Sequence, residues 1–391
     1  MAKSSFSVSD FFRKYMMVIA LVVVVILFSI GTGGKILFAQ NINNLISQNG
    51  YVFVLATGML LCILTGGNID LAAGSVVCFT GAIGAVMMSN KLHWLPAVIV
   101  MLLVGLVIGM FQGFWIAWVS VPPFIATLAG MYAFRGLSNV VLQGYTVGIE
   151  NETFLRVFGG GATCSIPDFF HGEKLNITCM AAGIIVVAIY VILTLKGMAT
   201  RKMKGIAGDS ASTTIIRMVI VSALLIWIFY KLASYQGIPT VLCWIGLVLL
   251  VYGYITTNTA IGRYFYAVGG NEKATRLSGV NTKLVYFIAY ANMGLMAGLA
   301  GILTVARASG VQPTFGQGYE MDAIAACFIG GASAYGGVGK ITGVIIGATL
   351  MGVINQGMSI MGWSANYQRA IKGGVLLLAV LFDVLSKKEQ A

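Results

Sequence analysis

Residues 262–283 read GRYFYAVGGNEKATRLSGVNTK, a polar, mixed-charge, glycine-punctuated stretch set between two long apolar runs. Glu272, Lys273, Ala274, Thr275, Arg276 and Leu277 include good helix formers. Asn271 suits the N-cap and Gly279 the stop, with Gly270 and Ser278 flanking the turn. Glu272 and Arg276 stand four apart in the order that favours a helical ion pair, so one is expected. An ordinary connecting loop has no need of a capped helix in its middle. The stretch is therefore expected to present a short helix at a membrane face, as a docking surface for another protein.

The flanks make this a membrane chain. It has 391 residues, 58% hydrophobic and 9% charged, with a mean hydropathy of +0.91. A soluble domain carries about 25% charged residues and would have too little polar surface at this composition. Crossing a bilayer takes about 20 apolar residues. Apolar runs begin at Met16 and cover 50–65, 69–89, 94–119, 124–142, 175–195, 218–234, 239–258, 284–306, 322–334, 341–358 and 367–385. The expected fold is an all-α polytopic membrane protein of about twelve transmembrane helices, some of them broken, with residues 1–391 forming one domain.

The net charge of +12 does not point to nucleic acid, because Lys and Arg gather in a few loops. The 196–217 and 262–283 loops are basic and are expected in the cytoplasm; the acidic 143–174 segment is expected outside. With an even number of spans, both termini are expected on the cytoplasmic side of the cell membrane, with lipid around the apolar helices. Asn151 and Asn176 begin Asn-x-Thr sequons, read as chance occurrences. The six cysteines show no metal-ligand spacing, and only Cys164 and Cys179, which flank the outer segment, are placed to pair.

Residues 334–342, AYGGVGKIT, approach a phosphate-binding loop without completing it. Ala334 replaces the first glycine, and Ile341 stands where the metal-binding hydroxyl is required. No nucleophile–base pair or metal cluster suggests an enzyme, and no cofactor is expected on this chain. Ionisable residues at membrane depth are Asp70, Arg135, Arg307, Glu320 and Asp322. Such groups are costly in hydrocarbon and face the protein interior or a water cavity. Asn68 and Asp70 also suit a helix start. NIDLAAG at 68–74 and EMDAIAA at 320–326 resemble one another and suggest related halves of an internal repeat. Pro122-Pro123 breaks the helical pattern, and Trp115, Trp118, Phe124, Tyr132 and Phe134 surround the break as an aromatic cluster expected to border a translocation path. The expected path residues are Asn68, Asp70, Phe124, Thr127, Arg135 and Asp322.

GGNEKATRLSGVN, GYEMDAIAACFIGGASAYGGVGKITG (318–343), GGNIDLAAGS (66–75) and PFIATLAGMYAFRG (123–136) together resemble the permease subunits of bacterial ABC-type monosaccharide importers of the ribose, galactose and xylose type. The resemblance runs from about residue 40 to the C-terminus. The additional spans around 196–239 make the chain similar to the longer xylose or multiple-sugar members. The resemblance implies an ABC importer permease fold and a homodimer. It also implies a cytoplasmic ATP-binding protein with two nucleotide sites, which carries the ATP and Mg²⁺, and an external sugar-binding protein. Residues 270–279 then form the coupling helix, and AYGGVGKIT a turn between broken helices. Two other readings remain: an ABC permease for another small solute, such as branched-chain amino acids or nucleosides, and a proton-coupled secondary transporter using Asp70, Glu320 and Asp322.

Overall fold

The computed structural model describes residues 8–160, 164–172, 174–204 and 211–388. In chain order its helices are α1 (Val8–Gly31), α2 (Ala39–Gln48), α3 (Gly50–Leu64), α4 (Ala73–Ser89), α5 (Trp94–Ala117), α6 (Pro123–Leu142), α7 (Glu152–Phe158) and α8 (Ile177–Met203). Then follow α9 (Ala211–Ala233), α10 (Thr240–Asn258), α11 (Ala260–Gly270), α12 (Glu272–Leu277), α13 (Thr282–Ala308), α14 (Tyr319–Ile329), α15 (Ile341–Ile360) and α16 (Ala365–Lys388). Two residue pairs, β1 (Val147–Gly148) and β2 (Gly310–Val311), form an antiparallel ribbon.

Each expected span falls on a helix. Among the described residues, however, seven helices are long and apolar enough to cross a membrane alone, or eight with α2 and α3 joined. The expected count of twelve is therefore not reproduced by length and hydropathy. α14 has 11 residues, about 17 Å at 1.5 Å per residue, roughly half the bilayer core. α4 has 17. The chain is a multi-pass, all-α membrane protein with partial spans at its centre.

α3 is the axis of the bundle: every one of its residues is buried. It joins α2 at a 42° bend, where the Asn49 side-chain amide donates to the Leu45 carbonyl at 2.9 Å. A side chain inserted into the helical ladder is a recognised source of such a bend. α13 packs along α3, α4 and α5. The α5–α13 crossing runs through Gly105, Gly109, Gly294 and Gly298, and a Cβ on any of these would collide with the facing helix backbone. Lipid tails give apolar helices little reason to associate, so close packing through small residues supplies the attraction. α8 and α9 pair at the periphery, exposing residues such as Ile184, Leu193, Ile220 and Leu224.

The 143–174 segment is ordered by its polar side chains. Asn151 and Asn176 cap α7 and α8 through hydrogen bonds from the Phe154 and Cys179 amides. Asp168 accepts from the amides of Phe170, Gly172, Ile177 and Thr178 and from the Thr178 hydroxyl. Cys164 and Cys179 do not pair; both are free thiols.

Candidate functional site

The 262–283 stretch folds as two helices meeting at Asn271. Thr259 caps α11. Asn271 caps α12 by accepting from the Ala274 amide at 2.9 Å. The Thr275 hydroxyl lies 2.8 Å from both the Ala267 and Asn271 carbonyls, binding α12 back onto α11. Gly279, at φ +86°, ends the unit in a conformation that favours glycine. The expected Glu272–Arg276 ion pair does not form. Glu272 instead accepts from the Thr282 hydroxyl at 3.2 Å and the Tyr286 hydroxyl at 3.0 Å. Tertiary partners on α13 take the carboxylate and pin α12 to that helix. Gly270, Asn271, Glu272, Lys273, Ala274, Arg276, Leu277, Ser278 and Gly279 are exposed, and of residues 270–279 Thr275 alone is buried. Leu277 is 81% exposed. α12 is thus a capped helix that leaves Leu277 exposed beside Lys273.

Beside it lies a cavity of about 430 Å³, whose walls include Asn68, Ser120, Pro122, Glu272, Arg276 and Tyr286. Three connections meet there: the α3–α4 break, the α5–α6 turn at Pro122-Pro123 and α12 itself. Asn68 is thus beside α12 rather than deep in the bundle.

The AYGGVGKIT stretch joins α14 to α15 and packs against the same end. The Gly337 amide donates to the Leu64 carbonyl at 3.0 Å, and the Tyr266 hydroxyl to the Gly339 carbonyl at 2.9 Å. A Cβ on Gly67 would strike the Ala334 carbonyl, one on Gly336 the Gly66 backbone, and one on Gly269 the Leu64 carbonyl. Three backbones therefore touch directly: the end of α3, the end of α11 and the α14–α15 turn. α11, to which the Thr275 hydroxyl binds α12, thus touches the end of α3 and the α14–α15 turn through main chain alone.

Those helices meet at the other end of this linkage. The start of α4 abuts the turn that begins α14, where Gly74 and Gly316 leave no room for a Cβ on either. From this meeting point α4 runs towards the β1–β2 ribbon, which it contacts, and α14 towards the 334–340 turn. NIDLAAG and EMDAIAA thus stand at the heads of two partial helices whose starts are in contact.

The expected path residues separate into distinct roles. Asp70 is buried and accepts from the Ala72 amide at 2.8 Å, ordering the approach to α4. Thr127 is buried and bonds back to the Pro123 carbonyl of its own helix. Arg135 donates to the Phe315 carbonyl at 2.5 Å and the Pro313 carbonyl at 3.4 Å, holding the loop before α14. Phe124 is 55% exposed and borders neither the α12 cavity nor a second one, of about 340 Å³, between α5 and α6. Trp115 and Phe134 do border that second cavity, with Phe111 and Ile125.

Asp322 is fully buried and lies 2.9 Å from Lys372 of α16, whose side chain is 18% exposed. The same carboxylate oxygen accepts from the Tyr51 hydroxyl at 2.5 Å and the Asn355 amide at 3.4 Å. α3, α14, α15 and α16 are thereby fastened at one point. Sequence reading did not single out Lys372, Tyr51 or Asn355. The signal for Lys372 was present, since it is a cation inside the 367–385 apolar run, the feature that had marked Asp322.

Comparison with known proteins agrees with this architecture. The family described as the permease component of branched-chain amino acid transport systems matches residues 41–163 and 162–380. The xylose transport system permease protein XylH of Escherichia coli strain K12 is 34% identical over 96% of this chain and 93% of its own length. XylH of Haemophilus influenzae is 34% identical over 96% and 97%. The ribose import permease protein RbsC of Escherichia coli strain K12 is 35% identical over 88% and 85%. No solved structure matches the chain. With the family covering nearly the whole chain and these relatives aligned almost end to end, the chain belongs to this family of transport-system permeases.

Proposed function

We propose that the chain is the membrane-spanning subunit of an ATP-driven monosaccharide importer, with xylose or a related aldose as its cargo. The observation that carries the reading is the capped, exposed α12 bound to α11, whose Gly269 meets the end of α3 and the α14–α15 turn, in a chain whose relatives are named for xylose and ribose transport. In this reading α12 docks into a cytoplasmic ATP-binding protein, which binds ATP and Mg²⁺ and hydrolyses the nucleotide. An external sugar-binding protein delivers the cargo, and two copies of the chain enclose its route through the cytoplasmic membrane. Both termini then lie in the cytoplasm. Partner closure displaces α12, and the Leu64–Gly337–Gly269 contacts pass the displacement to the α3–α4 break and the α14–α15 turn.

A proton-coupled transporter is less well supported, because all three of its candidate carboxylates have structural partners, Glu320 accepting from the Gly318 amide at 3.2 Å. Asp70 accepts from the Ala72 amide, and Asp322 is held by Lys372, Tyr51 and Asn355. The decisive experiment follows uptake of labelled pentoses and hexoses into proteoliposomes containing the chain, with ATP, the ATPase and the capture protein supplied or omitted. Uptake requiring all three and surviving a proton ionophore supports the importer and names the sugar. Uptake by the chain alone that the ionophore abolishes overturns it.

A further inference from the structure

The α8–α9 hairpin is tied to the rest of the bundle at one end. There the Asn176 amide donates to the Ala233 carbonyl at 3.0 Å and the Ile166 amide to the Ile238 carbonyl at 2.9 Å. The Asn43 side chain of α2 donates to the Gly237 carbonyl at 3.4 Å, and Cys179, Phe229, Leu232 and Ile238 pack against Ile42 and Ile46. α8 packs against α9, and α9 against α2. Beyond Gly183 nothing on α8 is buried: every residue from Ile184 to Lys204 is exposed or half-buried. A long arm of α8 therefore meets its surroundings directly.

That arm changes chemistry along its length. Ile185, Ile189, Leu193, Lys196, Thr200 and Lys204 follow one another at intervals of four or three, which places them on one face of the helix, and all are exposed. The face is apolar as far as Leu193 and cationic from Lys196, with the exposed Arg201 beside it. Lys196 comes about 20 residues, or about 30 Å, after the Asn176 cap, which is the depth of a bilayer's hydrocarbon. Lys196 thus stands at the edge of the hydrocarbon, and Thr200 and Lys204 lie about 6–12 Å further on, at the level of the headgroups. In the sequence Asp209 is the sole acidic residue between Glu173 and Glu272. Among the described residues, Lys196, Arg201 and Lys204 pair with no carboxylate.

A cluster of cations facing water stands apart from apolar surface. Here the two run together on one face, so whatever covers the first part must present an anion to the second. A phospholipid has this shape, with its acyl chains in the hydrocarbon and its phosphate at the headgroup level. Three cations without a neighbouring acid favour a lipid of net negative charge over a zwitterionic one. We infer that the arm of α8 is a binding site for an anionic phospholipid. An acyl chain lies along Ile185, Ile189 and Leu193, and the phosphate is held by Lys196, Thr200, Arg201 and Lys204. The lipid then anchors the end of the hairpin that contacts with the bundle leave unheld.

Native mass spectrometry of the full chain, delipidated in detergent and given equal amounts of phosphatidylglycerol and phosphatidylethanolamine with the same acyl chains, tests the site. Each cation near an anionic lipid surface strengthens binding about five-fold, so the parent is expected to retain phosphatidylglycerol at least five-fold over phosphatidylethanolamine. Lys196→Gln/Lys204→Gln is expected to lose that preference, and Lys196→Arg/Lys204→Arg to keep it. Lys231→Gln is also expected to keep it, because the Lys231 ammonium lies over the Trp227 ring at the opposite end of the hairpin. Equal retention of the two lipids by the parent, or an unchanged preference in Lys196→Gln/Lys204→Gln, overturns the proposal. An equal loss in Lys231→Gln shows an effect of overall charge and overturns the site as well. In the complex with the ATPase of the proposed function the lipid is expected to stay bound. Its displacement when the ATPase docks assigns these cations to that protein instead.

Discussion

Gly269→Ala tests the backbone linkage between the docking helix and the broken spans. Gly269 lies within α11 at a φ open to any residue, and in an exposed helix the change to alanine would favour folding by up to about 1 kcal/mol. Here the new Cβ would stand 1.8 Å from the Leu64 carbonyl oxygen and 2.4 Å from the Gly337 amide nitrogen. Ordinary carbon contacts lie near 3.5 Å, so the three backbones must part by roughly 1.5 Å. All the obstructing atoms are main chain, so no side chain can rotate away. Overpacking of this kind costs about 1–3 kcal/mol. Placed in the coupling between two sites, that energy corresponds to about 5–150-fold. The expected result is uptake reduced by at least five-fold while the complex assembles and hydrolyses ATP at close to the parent rate. Reconstituted ATPase and uptake, measured on one preparation, separate the outcomes. Parent-like uptake by Gly269→Ala would refute transmission through this contact, and failure to assemble would show that the contact serves folding instead.

Asn271→Ala removes the α12 cap at a cost of about 1 kcal/mol. It is expected to weaken ATPase binding to permease-containing membranes about five-fold in a sedimentation assay, with Asn271→Asp restoring it. Lys372→Met leaves the Asp322 carboxylate buried without its cation and is expected to lose about 3–5 kcal/mol of stability. Asp322→Asn/Lys372→Met should recover most of that in detergent unfolding; a double variant as unstable as the single one counts against the ion pair. In the 143–174 segment, desolvation would raise the Asp168 carboxyl, but hydrogen bonds from Gly172, Thr178 and Ile177 hold it well below the usual carboxylate range. Folding lowers this pKa, so the stabilisation is complete above the unfolded value of about 3.9 and fades as pH falls through the folded one. Hydrogen exchange at Gly172, Ile177 and Thr178 is expected to lose protection only below about pH 4, and at every pH in Asp168→Ala.

What was legible in the sequence was local. Asn271 and Gly279 bound a helix from within a few residues, and α12 lies between them. Pro122 and Pro123 mark the start of α6 because a missing amide proton is tolerated only there. The Glu272–Arg276 pair failed because spacing along one helix takes no account of Thr282 and Tyr286, which α13 brings to the same carboxylate. α14 begins three residues before the expected span, since Gly318 at φ +83° sets its start and hydropathy does not. The contact of Leu64, Gly269 and Gly337 joins segments that the chain order keeps far apart. Their glycines announced a close approach without saying to what. Phe124 carried an aromatic signal that composition alone could not distinguish from membrane-facing surface, and it stands on the outside of α6.

The buried charges bear on how such a subunit can work. Asp70, Arg135 and Asp322 each engage partners within the chain, to order the start of α4, to hold the loop before α14 and to fasten four helices. Charges occupied in this way set the positions of the half-helices and leave little with which to grip a neutral cargo. A ligand shifts a conformational equilibrium only by its differential affinity for the two states. A permease relying on its own sugar contacts to switch would need a dense set of them. One moved through α12 by a partner needs only a wet, weakly binding route, because tight binding at any point would slow release on the far side. Under the proposed function, the main-chain contact of Leu64, Gly269 and Gly337 thus determines when the way is open, and the cargo needs no tight grip along it.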